Sequence, residues 1–417
     1  MIHDFLKYLK SISIDYIVSN GYKDLYIEVL KTNDVDILIK KTDFKKIETI
    51  LKDFCEIENC KIVQIYHQEV FAKNIFLYKE ATGEILNLDL YGKLHKNNNE
   101  FFTELEIFGQ KKYYKEVSIL NTHQEFFYYF IKKISKPNFS IEVFSYLRNL
   151  YLEDQNNCDS ALREHLKITG ESISSAFLND DFYFIQNNME IILSDLDKKN
   201  VTLNYWINDK LRILKRILKP TGISIAFLGP DGSGKTTIIN GLLNSNLPFR
   251  RTDYFHLKPI YPKNKSEVVT SNPHQYEPYN VFKSIAKLIY FVWQYNIGWL
   301  KNIIPLKIKS SLVIFDRYYD DLIADNKRYR YGGGNYMAIF FRVFIKKPKL
   351  YFILVTDPDI IYKRKQEVLF SELQNQVEKY RELADGKRYF EIDVNNEPNL
   401  IVKRVNSILM KKMNERY

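Results

Sequence analysis

Short apolar runs and longer amphipathic stretches alternate through the second half of this chain. Ile223–Leu228 is apolar apart from Ser224 and too short for an ordinary helix, so it reads as a buried strand. Runs at Thr252–His256, Ser311–Phe315, Leu350–Val355 and Tyr389–Ile392 predict four more strands. The spacing between them predicts helices over 238–243, 277–304, 335–345, 359–382 and 397–413. Strands alternating with helices imply a parallel sheet covered on both faces. The first half has another rhythm. Strands are predicted at 32–39, 62–67, 70–78 and 84–91, with a helical stretch between Gly21 and the first of them and a helix over 42–54. Residues 125–219 then read as helices, at 125–134, 141–152, 160–166 and 203–218. The last of these ends in Leu211–Lys219, a basic amphipathic run suited to docking on the following domain or on anionic lipid. Lys219-Pro220-Thr221-Gly222 marks a boundary. The expected fold class is α/β: a C-terminal parallel sheet flanked by helices (220–417), behind an N-terminal α+β domain (1–124) and a helical connecting domain (125–219).

Bulk properties narrow the classes. A length of 417 residues fits two or three domains. Three cysteines, Cys55, Cys60 and Cys158, exclude a disulfide framework and fit a reducing, cytoplasmic setting. The Met-Ile-His-Asp-Phe start has no cationic and apolar leader pattern. The aromatic segment Leu288–Leu300 is too short to span a bilayer and reads as a buried or dimer-forming helix. The net charge of +10 follows from abundant lysine, and no nucleic-acid module is recognisable.

One motif carries most of the chemistry. Gly229-Pro230-Asp231-Gly232-Ser233-Gly234-Lys235-Thr236-Thr237 fits the phosphate-binding pattern G-x-x-x-x-G-K-[ST] between a predicted strand and a predicted helix. Its glycines let backbone N–H groups curl toward phosphate oxygens, and the helix that follows adds its positive end. Lys235 is suited to the β- and γ-phosphates of ATP, and the Thr236 hydroxyl to Mg²⁺. Asp316 follows the third predicted strand, where a carboxylate can hold Mg²⁺ through water, and Arg317 then offers a forked cation suited to phosphate.

These residues resemble the thymidylate kinase family of nucleoside monophosphate kinases, over about residues 221–415. The shared pieces are the glycine loop at 229–237, Asp316-Arg317-Tyr318, and Asp357-Pro358 through Arg364. The resemblance implies that Asp231 contacts the acceptor sugar. It implies that Asp316 and Arg317 serve metal and acceptor phosphate, that Arg364 faces the transferred phosphoryl group, and that 393–396 holds the adenine. The family's Thr-Arg-Glu-Pro is met only loosely by His256-Leu257-Lys258-Pro259. Its Ala-Tyr-Gln is replaced by Lys327-Arg328-Tyr329-Arg330-Tyr331-Gly332-Gly333-Gly334, an anion-binding segment or a solvated basic turn. The donor machinery thus carries over, and the expected acceptor is a nucleotide or another small phosphorylated or hydroxylated compound.

In the first half, Asp34 and Asp36 share one strand face, and Asp89 stands on another predicted strand. Such a trio suits a two-metal phosphoryl site, and strand-end aspartates of an ordinary α+β domain remain the plainer alternative. Residues 1–135 resemble the nucleotidyltransferase superfamily, which implies Mg²⁺ on Asp34, Asp36 and Asp89, with Ser19-Asn20-Gly21 near the triphosphate. Three functions follow as expectations. The first is an ATP- and Mg²⁺-dependent phosphotransferase. The second is a nucleotidyltransferase regulated by an ATP-binding second half. The third is a non-catalytic ATP switch.

Overall fold

The computed structural model describes residues 1–26, 34–96, 99–137, 139–196, 202–261, 276–366 and 368–417, with backbone alone at Asp34, Lys96 and Asn99. The chain forms two compact units, Met1–Leu77 with Leu86–Ile213, and Tyr78–Ile85 with Leu214–Tyr417.

The first unit opens with helix α1 (Ile2–Ser11), strands β1 (Tyr16–Asn20) and β2 (Asp34–Ile39), and helix α2 (Lys41–Glu58). Strands β3 (Lys61–Glu69), β4 (Ala72–Lys79), β5 (Glu84–Tyr91), β6 (His95–Lys96) and β7 (Asn99–Glu100) follow. Helix α3 (Glu104–Gly109) and strands β8 (Lys112–Tyr114) and β9 (Val117–Ile119) come next. The main sheet runs β3-β4-β5-β2-β1-β9-β8. Its β2 and β5 are parallel, which sets Asp36 directly opposite Asp89. Helices α4 (Thr122–Ile134), α5 (Ile141–Glu153), α6 (Gln155–His165), α7 (Gly170–Leu178), α8 (Phe182–Asn187) and α9 (Met189–Asp195) complete it, and α10 (Leu203–Leu218) carries the chain from the first unit into the second. Phe126, Phe127 and Phe130 of α4 are fully buried, in one apolar cluster that takes in Ile17 and Leu38 of the sheet. Sheet and following helices therefore share a core. The sequence pattern foresaw α10 residue for residue but not α7, α8 and α9, which are too short to show a helical period.

The second unit holds β10 (Ile223–Leu228), α11 (Lys235–Leu243), β11 (Arg251–His256), α12 (Val281–Gly298), α13 (Ile304–Ile308) and β12 (Ser311–Asp316). Then come α14 (Asp321–Ala324), α15 (Asn335–Arg342), β13 (Leu350–Val355), α16 (Pro358–Arg364), α17 (Phe370–Glu382), β14 (Tyr389–Asp393) and α18 (Pro398–Asn414). All five strands are parallel, in the order β11-β12-β10-β13-β14. Every residue of β10 and β13 is buried, whereas the edge strand β11 alternates buried and exposed. That contrast is what a sheet covered on both faces demands of its centre and its margin. The chain leaves β10 for one side of the sheet and later crosses to the other, so the loop after β10 opens at a topological switch point, where ligands of such sheets bind.

Two sequence expectations are refined here. The aromatic helix α12 is half-buried: Leu288, Phe291 and Tyr295 face the core, while Ile289, Tyr290 and Trp293 are more than half exposed. The single helix expected over 359–382 is two, because Lys365 turns to extended backbone (φ −156°) and ends α16. Among the described residues no helix is long and apolar enough to cross a membrane.

Candidate active site

The loop from Gly229 to Gly234 leaves buried β10 and enters α11. Gly229 (φ +142°), Gly232 (φ +83°) and Gly234 (φ +82°) adopt backbone that side chains resist. At Gly229 space also forbids a side chain, since a Cβ would lie 2.4 Å from the Leu354 carbonyl oxygen. A Cβ on Gly232 would meet Lys365 at 3.0 Å and the Ile361 carbonyl at 3.3 Å, so the end of α16 lies over the loop. No side chain caps the N-terminus of α11, which leaves its first N–H groups facing the loop's concavity. Lys235 is buried and curls back along the loop, donating to the carbonyls of Gly229 and Pro230 at 2.8 Å each and to Ser233 Oγ at 3.4 Å. Burial, with Arg317 second, lowers its pKa to about 8. Ser233 is buried, and Thr236 and Thr237 are exposed on the first turn.

Asp316 ends β12, the strand paired with β10, and sits opposite Phe227 on one side and His256 on the other. Its Oδ2 accepts from Tyr254 Oη at 3.1 Å. Its Oδ1 is buried with no hydrogen-bond partner among the described residues. A solvent-shielded, uncompensated carboxylate oxygen beside a phosphate loop fits the donor set a hard divalent cation requires.

Arg317 lies in the left-handed region (φ +71°), uncommon for a residue with a Cβ, and is buried. It donates to Asp321 Oδ2 at 2.6 Å and to Asp231 Oδ1 of the loop. Arg328, from the basic segment before the glycines, donates to the other oxygen of Asp231. Asp321 is fully buried and also accepts from Tyr329 Oη at 2.8 Å and from Tyr380 Oη. Burial alone would raise the Asp321 pKa, but Arg317 and Tyr380 outweigh it and hold the carboxyl below its ordinary value. The structure thus joins Asp231 and Arg317, both foreseen, with Asp321 and Arg328, which sequence reasoning did not name as site residues. Arg328 belongs to the segment read as either anion-binding or a solvated basic turn. Asp321 carried no signal, because its importance lies in partners brought together only by folding.

Arg364 ends α16, exposed, and among the described residues no hydrogen bond or ion pair joins it to this cluster. Beside Asp316, Tyr254, Phe255, His256, Leu257, Lys258, Tyr261 and Gln294 line a cavity of about 440 Å³. Gln294 Oε1 there is buried without a hydrogen-bond partner among the described residues. Burial lowers the His256 pKa, although Asp316 opposes that shift.

In the first unit, Asp36 and Asp89 occupy opposed register positions, and the side chain of Asp34 lies outside the described residues. Asp36 is buried, accepts from Lys132 Nζ of α4 at 2.5 Å and takes the Tyr91 hydroxyl at 3.2 Å. Asp89 accepts from Asn74 Nδ2. A cation for the Asp36 carboxylate is thus supplied by the protein's own ammonium. Among the described residues no cluster of three or more acidic, histidine or cysteine side chains could hold a metal.

No protein-family model matches this chain, and no curated protein matches it. Among solved structures, thymidylate kinase from Candida albicans is similar over 46% of this chain and 93% of its own, at 18% identity and a TM-score of 0.36. Thymidylate kinase from Ehrlichia chaffeensis is similar over 46% of this chain and 100% of its own, at 20% identity and a TM-score of 0.33.

Proposed function

We propose that the second unit is an ATP- and Mg²⁺-dependent phosphotransferase that moves the γ-phosphoryl group to a nucleotide or another small acceptor. The observation that carries this reading is Lys235 folded along the carbonyls of its own glycine loop, one strand away from the unpaired Oδ1 of Asp316. An ammonium in that posture needs only to swing from carbonyls to phosphate oxygens when ATP enters. The N–H groups at the start of α11 grip the same polyanion.

Thr236 and Asp316 are the residues that would hold Mg²⁺. When bound, the ion neutralises charge on the phosphates. The chain's own residues do the rest by positioning. In-line transfer forms a bond from the acceptor oxygen to the γ-phosphorus and breaks the bond to the bridging oxygen, so alignment and charge neutralisation dominate. Arg317 and Arg328, now held on Asp231, present guanidiniums that can turn to an anionic acceptor. The cavity beside Asp316 offers aromatic faces and a carbonyl oxygen, Gln294 Oε1, that lacks a donor.

The test is incubation of the purified chain with ATP labelled in the γ-phosphate, over a panel of nucleoside monophosphates and sugar phosphates. Label reaching an acceptor supports the proposal, and label reaching none of them while ATP binds points instead to the switch. A second reading, nucleotidyl transfer by the first unit, has the opposed positions of Asp36 and Asp89 in its favour and the Lys132 ion pair against it. ATP labelled in the α-phosphate distinguishes it.

A further inference from the structure

Helix α10 is turned inside out. Successive helical residues rotate by about 100°. Trp206, Ile207, Leu211, Leu214, Ile217 and Leu218 therefore share an arc of about 140° on one side. All six are exposed, from 43% at Ile207 to 71% at Leu218, and no residue of the helix is buried. The polar side makes the contacts instead. Within the first unit, Arg212 donates to the carbonyls of His67 and Gln68 at 3.0 and 2.7 Å, and the Tyr205 ring lies 6.3 Å from that of Phe71. Within the second unit, Arg216 donates to the Ile308 carbonyl at 3.1 Å. An amphipathic helix left to its own chain buries its apolar stripe and solvates its charges. Among the described residues this one does the reverse, which leaves its apolar stripe open to a partner.

Charge selects among occupants. Lys210 stands in the middle of the stripe, exposed, its ammonium 5.5 Å from the Trp206 ring. Lys215 borders the stripe, Lys219 follows the last residue of the helix, and both are exposed. The sole acid of the helix, Asp209, lies on the inward side and is paired with Arg212 at 2.7 Å. In a symmetric helix pair, parallel or antiparallel, Lys210 at the midpoint of α10 would meet its own copy in the seam, burying two ammonium groups without a counter-charge. A lipid surface has no such conflict: the lysine stem lies along the acyl chains and its head rises to the phosphates. The helix is about 24 Å long, short of the roughly 30 Å needed to span, so it lies in the interfacial plane.

We infer that α10 is an interfacial anchor that seats this chain on an anionic phospholipid surface, with Trp206 and the leucines below the headgroups and Lys210, Lys215 and Lys219 among the lipid phosphates. This does not depend on the proposed phosphotransfer.

The experiment is co-sedimentation of the full chain with vesicles of phosphatidylcholine alone or mixed with phosphatidylglycerol at about 3 to 1. The expected result is binding to the mixed vesicles that weakens with salt, with a blue shift of tryptophan emission that Trp206→Phe removes. The double variant Leu211→Glu with Leu214→Glu should bind at least about tenfold more weakly. Both positions are exposed, and circular dichroism checks the fold. If that variant does not fold, the Trp206→Phe comparison carries the test alone. The inference is overturned by absence of binding to the anionic vesicles, by equal binding to neutral ones, or by a blue shift that survives Trp206→Phe. A concentration-dependent dimer that the double variant dissolves would overturn it as well, by assigning the stripe to a second copy.

Discussion

Asp231 is gripped by two guanidiniums, and one of these, Arg317, is in turn held by the buried Asp321. Removing the Asp321 charge leaves Arg317 buried and under-compensated. Asp321→Asn should therefore cost about 3 to 5 kcal/mol of stability, read as a lowered melting temperature. Tyr380→Phe removes one donor to the same carboxylate and should cost only about 1 to 2 kcal/mol. Equal effects would mean that the charge pair does not organise this cluster. Lys235 sets a second expectation. Its pKa is lowered to about 8, from 10.5 for an ordinary lysine. Phosphate requires the ammonium, so ATP affinity should be flat below about pH 8 and fall above it. On stability the sign is opposite. Between about 8 and the ordinary lysine value the unfolded chain holds more protons, so this group's contribution to stability rises with pH there. Calorimetry across this range should show the affinity loss in the wild type and not in Lys235→Arg, whose guanidinium stays charged. Lys235→Ala should lower kcat by about 10² to 10³.

At the scale of elements, the turn between β10 and α11 owes its shape to two different glycine requirements. Gly229→Ala drives a Cβ into the Leu354 carbonyl, a backbone atom that cannot yield, and should cost about 2 to 3 kcal/mol. A Cβ on Gly234 meets nothing within 4 Å, so Gly234→Ala should cost only the backbone strain, about 1 kcal/mol. Comparable melting temperatures for the two variants would contradict this geometry. The elements also mark what a sequence can carry. Strands β10 and β13 were legible because parallel strands buried on both faces must be apolar throughout, and the glycine loop because its chemistry is contiguous. The break between α16 and α17 was not, since no proline or glycine announces it where Lys365 turns to extended backbone beside Gly232. The Arg317 and Arg328 contacts with Asp231 span 86 and 97 residues of chain, so no local pattern encodes them.

Across the whole molecule, a net charge of +10 and a chain divided into two compact units leave open which unit acts. The first unit neutralises its Asp36 with Lys132, and the second keeps a carboxylate oxygen, unpartnered among the described residues, beside a glycine loop with an uncapped helix behind it. That asymmetry favours the second unit as the place of the proposed donor nucleotide. The most direct measurement is calorimetric titration of the chain with ATP in the presence of Mg²⁺, for the wild type and for Lys235→Ala. Saturable binding by the wild type and a loss of about tenfold or more in the variant are expected, in line with the removal of one charged contact. No heat from the wild type at millimolar ATP, or the same affinity in both proteins, would contradict it.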